Sequence, residues 1–347
     1  MSLISRFSRQ TLPALAREIW SVYWTLFKLM VPVIVVVKLL EELGAIPLLS
    51  QLLAPLMSLV GLPETAGLVW ATTMVTNIYG GMIVFFDLGL NGQLSVAQVT
   101  VLGGMMLVAH GLPVEVRIVQ KSGVRLAVAL AIRVVGALLY GALLSSVYQT
   151  GDWLQQPMSS LWQPEPQSQG LLAWAGHQIQ SLLMILLVVA ALISLLKLLR
   201  WMHVERAMIW LLQPLLRLLG ISNQAASLTI VGMTLGLSFG GGLLIQEAGR
   251  GHIRRQDIFS AMLLLGLCHS LIEDTLLILL LGADISGVLW FRLGFALLVV
   301  ALATRLLGRR SEQFWQRWLV YPTAAAATTA TTAATTTATT ARGQTHD

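Results

Sequence analysis

The sequence predicts an all-α polytopic membrane protein with about ten transmembrane segments in two inverted five-segment repeats, its helices broken at glycine clusters. The first observation behind this is composition: the chain is 56% hydrophobic and 11% charged, with a mean hydropathy of +0.76, whereas soluble domains carry about 25% charge. The second is an internal duplication. Residues 38–139 return without a gap at 197–298, a shift of 159 that gives 21 identities in 102 positions. Ten of these are leucine, which a leucine-rich chain supplies by chance. The other eleven include Lys38 with Lys197, Pro55 with Pro214, Gly61 with Gly220, Gly81 with Gly240, His110 with His269 and Arg133 with Arg292, and Glu115 falls on Asp274. The third is the charge of equivalent loops, which is opposite in the two halves.

The apolar stretches run in order over 22–41, 44–61, 65–86, 97–114 and 125–147, then 172–199, 204–220, 224–246, 257–280 and 285–307. A spanning helix needs about 20 residues. The second stretch of each half is short and carries a late proline, so it either spans, re-enters or lies in the interface. Lys and Arg mark cytoplasmic loops. The loop from Leu88 has none, but its equivalent carries Arg250, Arg254 and Arg255. The loop holding Arg117, Lys121 and Arg125 is matched by 271–284, which has acids and no base. Opposite bias at equivalent loops requires an odd number of crossings per half. The expected layout is a cytoplasmic segment 1–20, membrane repeat 21–148, an external linker 149–170, membrane repeat 171–308 and a cytoplasmic tail 309–347. The tail is Ala/Thr-rich and expected to be disordered from about 321. The first apolar stretch is too long for a signal peptide.

A net charge of +6 placed between apolar segments points to loop orientation, not to nucleic acid. The single cysteine, Cys268, excludes an internal disulfide. No nucleophile elbow, phosphate loop or zincin pattern is present, so the expectation is not an enzyme, with no cofactor beyond a coupling H+ or Na+.

Segment three and its partner each carry hydroxyls and then glycines: Asn77, Gly80 and Gly81 in one, Ser238, Gly240, Gly241 and Gly242 in the other. Glycine costs a helix up to about 1 kcal/mol per residue. A cluster therefore invites a break, and unwound backbone within a membrane is tolerated where it lines a cavity. Close helix packing is the competing explanation.

Arg133 and Arg292 lie inside apolar segments, where an arginine costs roughly 2.5–3.5 kcal/mol to insert. The readings are an ion pair (Arg133 with Glu115; Arg292 with Asp274 or Glu273), direct contact with an anionic solute, or snorkelling. His110 and His269 each precede an acid by five residues and are candidates for proton relay or a divalent metal. No Cys-x-x-Cys or His-x-x-x-His spacing supports a metal, so none is expected. Glu64, Asp87 and Glu247 are candidate gate or mouth charges.

The stretch Gly61-Leu62-Pro63-Glu64-Thr65-Ala66, leading into the helix with Asn77, Gly80 and Gly81, resembles the nucleoside recognition or Gate domain, as does His110-Gly111-Leu112-Pro113-Val114-Glu115. That domain occurs in concentrative nucleoside transporters, in the membrane part of the ferrous-iron transporter B family and in spore maturation A and B proteins. The resemblance is clearest over 40–140, and it implies that Glu64, Asn77, Gly80 and Gly81 are the domain's polar and glycine positions. The second copy departs from it, with Asn223 for Glu64 and Ser222 for Pro63. The helical-hairpin pattern of a full nucleoside carrier is not evident in the sequence.

The leading expectation is a secondary transporter or facilitator for a small polar solute, nucleoside-like or anionic, with its site between the repeats. The alternatives are a non-transporting membrane assembly partner and a divalent metal-ion permease. Expected partners are the lipid bilayer and the solute, with a homo-oligomer or a membrane partner protein also open. The expected location is the inner membrane with both termini cytoplasmic.

Overall fold

A computed structural model describes residues 3–159, 170–250 and 253–321, with side chains left out at 3–12, 205, 235, 238 and 239. The Ala/Thr tail from 322 and the middle of the linker lie outside the described residues. Among those described the chain is helical, and the only β pairing is two isolated bridges, Ser95 with Pro157 and Val124 with Val320.

The helices of the first half are α1 (Leu3–Glu42), α2 (Ala45–Leu59), α3 (Ala66–Val75), α4 (Ile78–Asp87), α5 (Val96–Val108), α6 (Leu112–Lys121) and α7 (Leu126–Thr150). The second half follows with α8 (Leu171–Trp201), α9 (Val204–Leu218), α10 (Asn223–Leu235), α11 (Leu237–Arg250), α12 (Arg255–Leu267), α13 (Glu273–Leu280) and α14 (Arg292–Leu307), the last entered through a π-helical turn, Ser286–Phe291. Adding 159 to the bounds of α2 gives those of α9, and adding it to α5 gives α12. The duplication is thus present in the elements as well as the letters. It extends to the backbone: Gly44 and His203, Gly61 and Gly220, Gly111 and Ser270, and Gly123 and Gly282 are equivalent pairs that all have positive φ. At Gly61, Gly220, Gly123 and Gly282 glycine is the residue that takes this conformation without Cβ strain, which accounts for identities that leucine statistics do not.

Among the described residues, four helices are long and apolar enough to cross a bilayer: Pro13–Glu42 within α1, α7, α8, and Ser286–Leu307 including α14. The pair α5 and α6, bent by 43°, makes a fifth if it is one span. At 15 residues, α2 and α9 extend only about 22 Å, short of the ~30 Å hydrocarbon core. The long helices present leucines outward (Leu172, Leu187, Leu139, Leu302), whereas α5 and α12 are buried along nearly their whole length. This is the burial of a multi-pass membrane protein, in which lipid faces the outer helices and the broken helices fill the interior.

Segments three and eight are helical hairpins, not broken spans. A Cβ built on Gly81 would strike the Thr73 hydroxyl, and one on Gly240 would strike the Gly232 backbone. Residues eight apart lie about 12 Å apart along a straight helix, so the chain must fold back between them. The fold-back points are Thr76–Asn77 (Asn77 φ −166°, ψ 177°) and Gly236 (φ +92°, ψ 161°), and positions 77 and 236 are equivalent. The breaks therefore precede the glycine clusters. Gly80 and Gly81 lie in the first turns of α4, where Asn77 Oδ1 accepts from Gly80 N–H at 2.9 Å. Gly81 and Gly240 let the two arms of each hairpin close, and Gly241 faces Ile118 of α6.

Gly240→Ala is expected to destabilise the protein by about 1–3 kcal/mol, the usual cost of overpacking, because backbone and not a flexible side chain stands in the way. Gly242→Ala, with nothing within 4 Å of its Cβ, is expected to be neutral. Thermal unfolding of both variants in detergent checks the contrast.

Candidate functional site

Helix α5 stops at Val108 because Ala109 leaves helical geometry (φ −135°, ψ 75°), and α12 stops in the same way at Cys268 (φ −150°, ψ 73°). Each chain then turns through a left-handed residue, Gly111 or Ser270, and restarts as α6 or α13. The hairpin tips meet these breaks. Gly111 N–H donates to Thr73 O at 3.1 Å in the first half, and Leu271 N–H donates to Met233 O at 2.7 Å in the second. Interrupted backbone thus lies against interrupted backbone, which gives each break polar partners away from lipid.

His110 and His269 stand at the two breaks and touch each other. Their Nε2 atoms are 3.1 Å apart, and each Nδ1 lies against the carbonyl four residues earlier, Met106 O at 3.0 Å and Leu265 O at 2.7 Å. A carbonyl only accepts, so Nδ1 carries the proton in both rings and Nε2 is the lone-pair atom of each neutral ring. Glu115 Oε1 sits between them, 3.1 Å from His110 Nε2 and 3.2 Å from His269 Nε2. Asp274 Oδ2 is 3.7 Å from His110 Nε2. Both acids occupy the first turn of a helix, α6 or α13, where the helix dipole favours a carboxylate.

The arginines hold the helix ends. Arg133 Nη1 lies 2.5 Å from Glu115 Oε2, and its Nη2 donates to His110 O at 2.9 Å. Arg292 is fully buried. It donates from Nε to Leu267 O at 3.1 Å and from Nη2 to His269 O at 2.9 Å and Leu107 O at 3.3 Å. The last bond joins the halves. Of the two carboxylates expected beside Arg292, neither takes a donor from it; Nε and Nη2 go to the carbonyls freed where α12 and α5 end, and Nη1 is left without a partner. The sequence shows acids but not freed carbonyls, so this role was not legible there.

The remaining candidates separate. Asn77 is at the first hairpin tip, with a buried Nδ2 that lacks a hydrogen-bond partner; Asp274 Oδ2, Thr275 Oγ1 and Arg292 Nη1 share that condition. Glu273 is half-buried at the start of α13. Glu64 is exposed in the turn before α3. Asp87 accepts from Gln178 of α8 at 2.9 Å, while Glu247 pairs with Arg250 at 2.6 Å and accepts from Gln224 at 3.2 Å. These three stand apart from the histidine cluster. The Ser238 side chain lies outside the described residues.

Two cavities lie at equivalent places in the halves. One, of about 170 Å³, is lined by Gly61, Ala97, Gln98, Val101, Ser145 and Gln149. The other, of about 320 Å³, is lined by the equivalents Gly220, Gln256, Asp257, Ser260, Thr304 and Gly308, with Arg254 and Arg305 beside them. Neither is lined by the histidines.

Residues 23–122, from α1 to the end of α6, match the family model described as Gate, nucleoside recognition. The likeness is confined to the first half. The match takes in the first hairpin, His110 and Glu115, and it stops before Arg133. A curated relative, the "Uncharacterized membrane protein YvoD" of Bacillus subtilis (strain 168), is 29% identical over 302 residues, covering 85% of this chain and 92% of the relative. That alignment extends well beyond residues 23–122 and takes in parts of both halves. No solved structure matches.

Proposed function

We propose that the protein is a secondary transporter or facilitator for a small polar solute, held where two inverted repeats meet. The observation that carries this reading is the meeting of both hairpin tips with both helix breaks around the contact of His110 with its own equivalent, His269. Contact between equivalent residues is what a two-fold axis produces. Inverted repeats related by such an axis in the membrane plane, with the site at the midplane among interrupted helices, are a common transporter build.

The hairpins leave the parity intact. With α3–α4 and α10–α11 re-entering and the short α2 and α9 in the interface, each half crosses three times: α1, α5–α6 and α7, then α8, α12–α13 and α14. Three is odd, as five was, and the base-free loop after Leu88 stays outside with the linker. The solute class comes from the Gate domain, so nucleosides stand first. Arg133 is engaged by Glu115 and His110 O, while Arg292 keeps a buried Nη1 without a partner, so a small anion stands second.

The test is uptake into proteoliposomes under an imposed H+ or Na+ gradient, with a panel of labelled nucleosides, nucleobases and small organic anions. Saturable uptake of one class is expected, and Asn77→Ser, which keeps a capping oxygen for α4 but removes the amide N–H at the hairpin tip, is expected to lower it at least tenfold. Folded protein that moves none of the panel would sink the reading in favour of a non-transporting membrane partner.

A further inference from the structure

The centre of the molecule contains a group of acceptors with no donor among them. Both Nδ1–H groups are committed to carbonyls, so the neutral rings turn two lone pairs toward each other at 3.1 Å. Glu115 Oε1 closes a triangle with them, with sides of 3.1 and 3.2 Å. Three lone pairs that close repel one another unless a cation lies among them. A proton bridges two of the three atoms. A metal ion uses all three.

We propose that His110 Nε2, His269 Nε2 and Glu115 Oε1 bind one divalent first-row transition-metal ion, with Asp274 Oδ2 as the fourth ligand. The inference concerns the cluster that the proposed function places on the solute path, but metal binding there does not depend on transport.

Four features of the site support it. The first is size: with metal–ligand bonds of about 2.0–2.1 Å, tetrahedral ligands stand roughly 3.3–3.4 Å apart, so the triangle has to open by only about 0.2 Å. The second is the surroundings of the ligands. A metal-bound histidine ordinarily donates its other ring N–H to a carbonyl or carboxylate, and both rings do so here. Glu115 is likewise held from behind by Arg133, 2.5 Å from its other oxygen. The third is Asp274. The residue is more than nine-tenths buried, and its Oδ2 has no hydrogen-bond partner although it faces His110. His110, His269 and Asp274 bring ligand atoms within 4.8 Å of one another. The fourth is charge. Glu115 is paired with Arg133, whereas Asp274 has no arginine within ion-pair distance among the described residues and leaves a buried carboxylate for a cation to meet.

Two imidazoles with carboxylate suit Zn2+, Fe2+, Ni2+ or Co2+ and do not suit Mg2+ or Ca2+, which prefer all-oxygen sites. Local spacing cannot reveal this site, because its two histidines are 159 residues apart and the pairing exists only once the halves dock. Cys268, next to His269, is buried but is not among the converging ligands.

The experiment uses full-length protein in detergent, stripped with chelator and freed of any affinity tag, titrated with Zn2+, Co2+ and Mg2+. Calorimetry is expected to show one Zn2+ per chain and no Mg2+ binding, and Co2+ is expected to give the intense visible bands of a four-coordinate site. His110→Gln and His269→Gln are each expected to weaken Zn2+ binding at least about 100-fold, beyond the 10–100-fold typical of groups behind the ligands, with Glu115→Gln and Asp274→Asn weakening it less. If the histidine variants do not fold, the Co2+ spectrum of the unmodified protein and the Asp274→Asn titration decide. Absence of stoichiometric Zn2+ binding, or binding unchanged in the double histidine variant, overturns the inference. Zinc binding without uptake of any solute upholds the metal site and removes the carrier reading. Uptake by protein that binds no metal does the reverse.

Discussion

Arg133→Ala is expected to destabilise the folded protein by about 3–5 kcal/mol, the cost of breaking a buried ion pair from one side. The guanidinium is 2% exposed and lies against a carboxylate that has been drawn into the same apolar interior. Removing it leaves Glu115 facing the histidines without its counter-charge and strips His110 O of its donor. The second half of the expectation makes it specific. Replacing both partners, Arg133→Leu with Glu115→Leu, is expected to recover a large part of the loss, because paired buried charges are often close to neutral against apolar residues of similar volume. Thermal or denaturant unfolding of the four members of this cycle measures the coupling. A double variant as unstable as the sum of the singles would show that the two residues act separately.

Arg292→Ala is expected to be at least as severe, for a different reason. No carboxylate is orphaned; three carbonyls are, those of Leu107, Leu267 and His269. An unsatisfied buried polar group costs about 1–3 kcal/mol, and lipid offers no water to replace the donor. One of the three belongs to α5, so the loss also loosens the seam between the halves. Arg292→Lys is expected to recover only a minor part, since a single ammonium cannot reproduce a planar fork spread over two helices. Yield of folded protein and its unfolding temperature are the readouts. Full recovery by lysine would indicate that charge, not fork geometry, is what the position supplies.

How far the sequence carried the account depends on the distance over which each feature is encoded. The duplication was legible because Gly61, Gly123, His110 and Arg133 repeat at a constant offset, and the structure gives those glycines a reason in positive φ. The membrane class was legible from composition alone. The hairpins were not. Residues 65–86 have the same hydropathy whether they cross the bilayer or turn back within it, and the deciding contact, Gly81 against Thr73, leaves no periodic trace. Asn77 was singled out by its neighbourhood, but its work as the cap that starts α4 emerged only with the turn in place.

The central cluster shows the same division. His110, Glu115, His269 and Asp274 were all nameable from the duplication. That Glu115 serves both histidines was not, because a linear reading assigns each acid to its own half. Arg292 was placed beside acids for the same reason: the sequence displays charged side chains and conceals the carbonyls released where a helix stops.

The claim on which the account rests is that the two halves are inverted about the His110–His269 contact. Single cysteines at Gln93 and Gly249, introduced into a Cys268→Ala background and labelled in intact cells and inside-out vesicles with an impermeant maleimide, test it directly. Both positions are exposed, Gln93 in the loop after α4 and Gly249 in the last turn of α11, at the far end of each hairpin. With inverted halves, Gln93→Cys is labelled from outside and Gly249→Cys from the cytoplasmic side. Labelling of both from the same side would contradict the inversion and, with it, a solute site formed between opposed repeats.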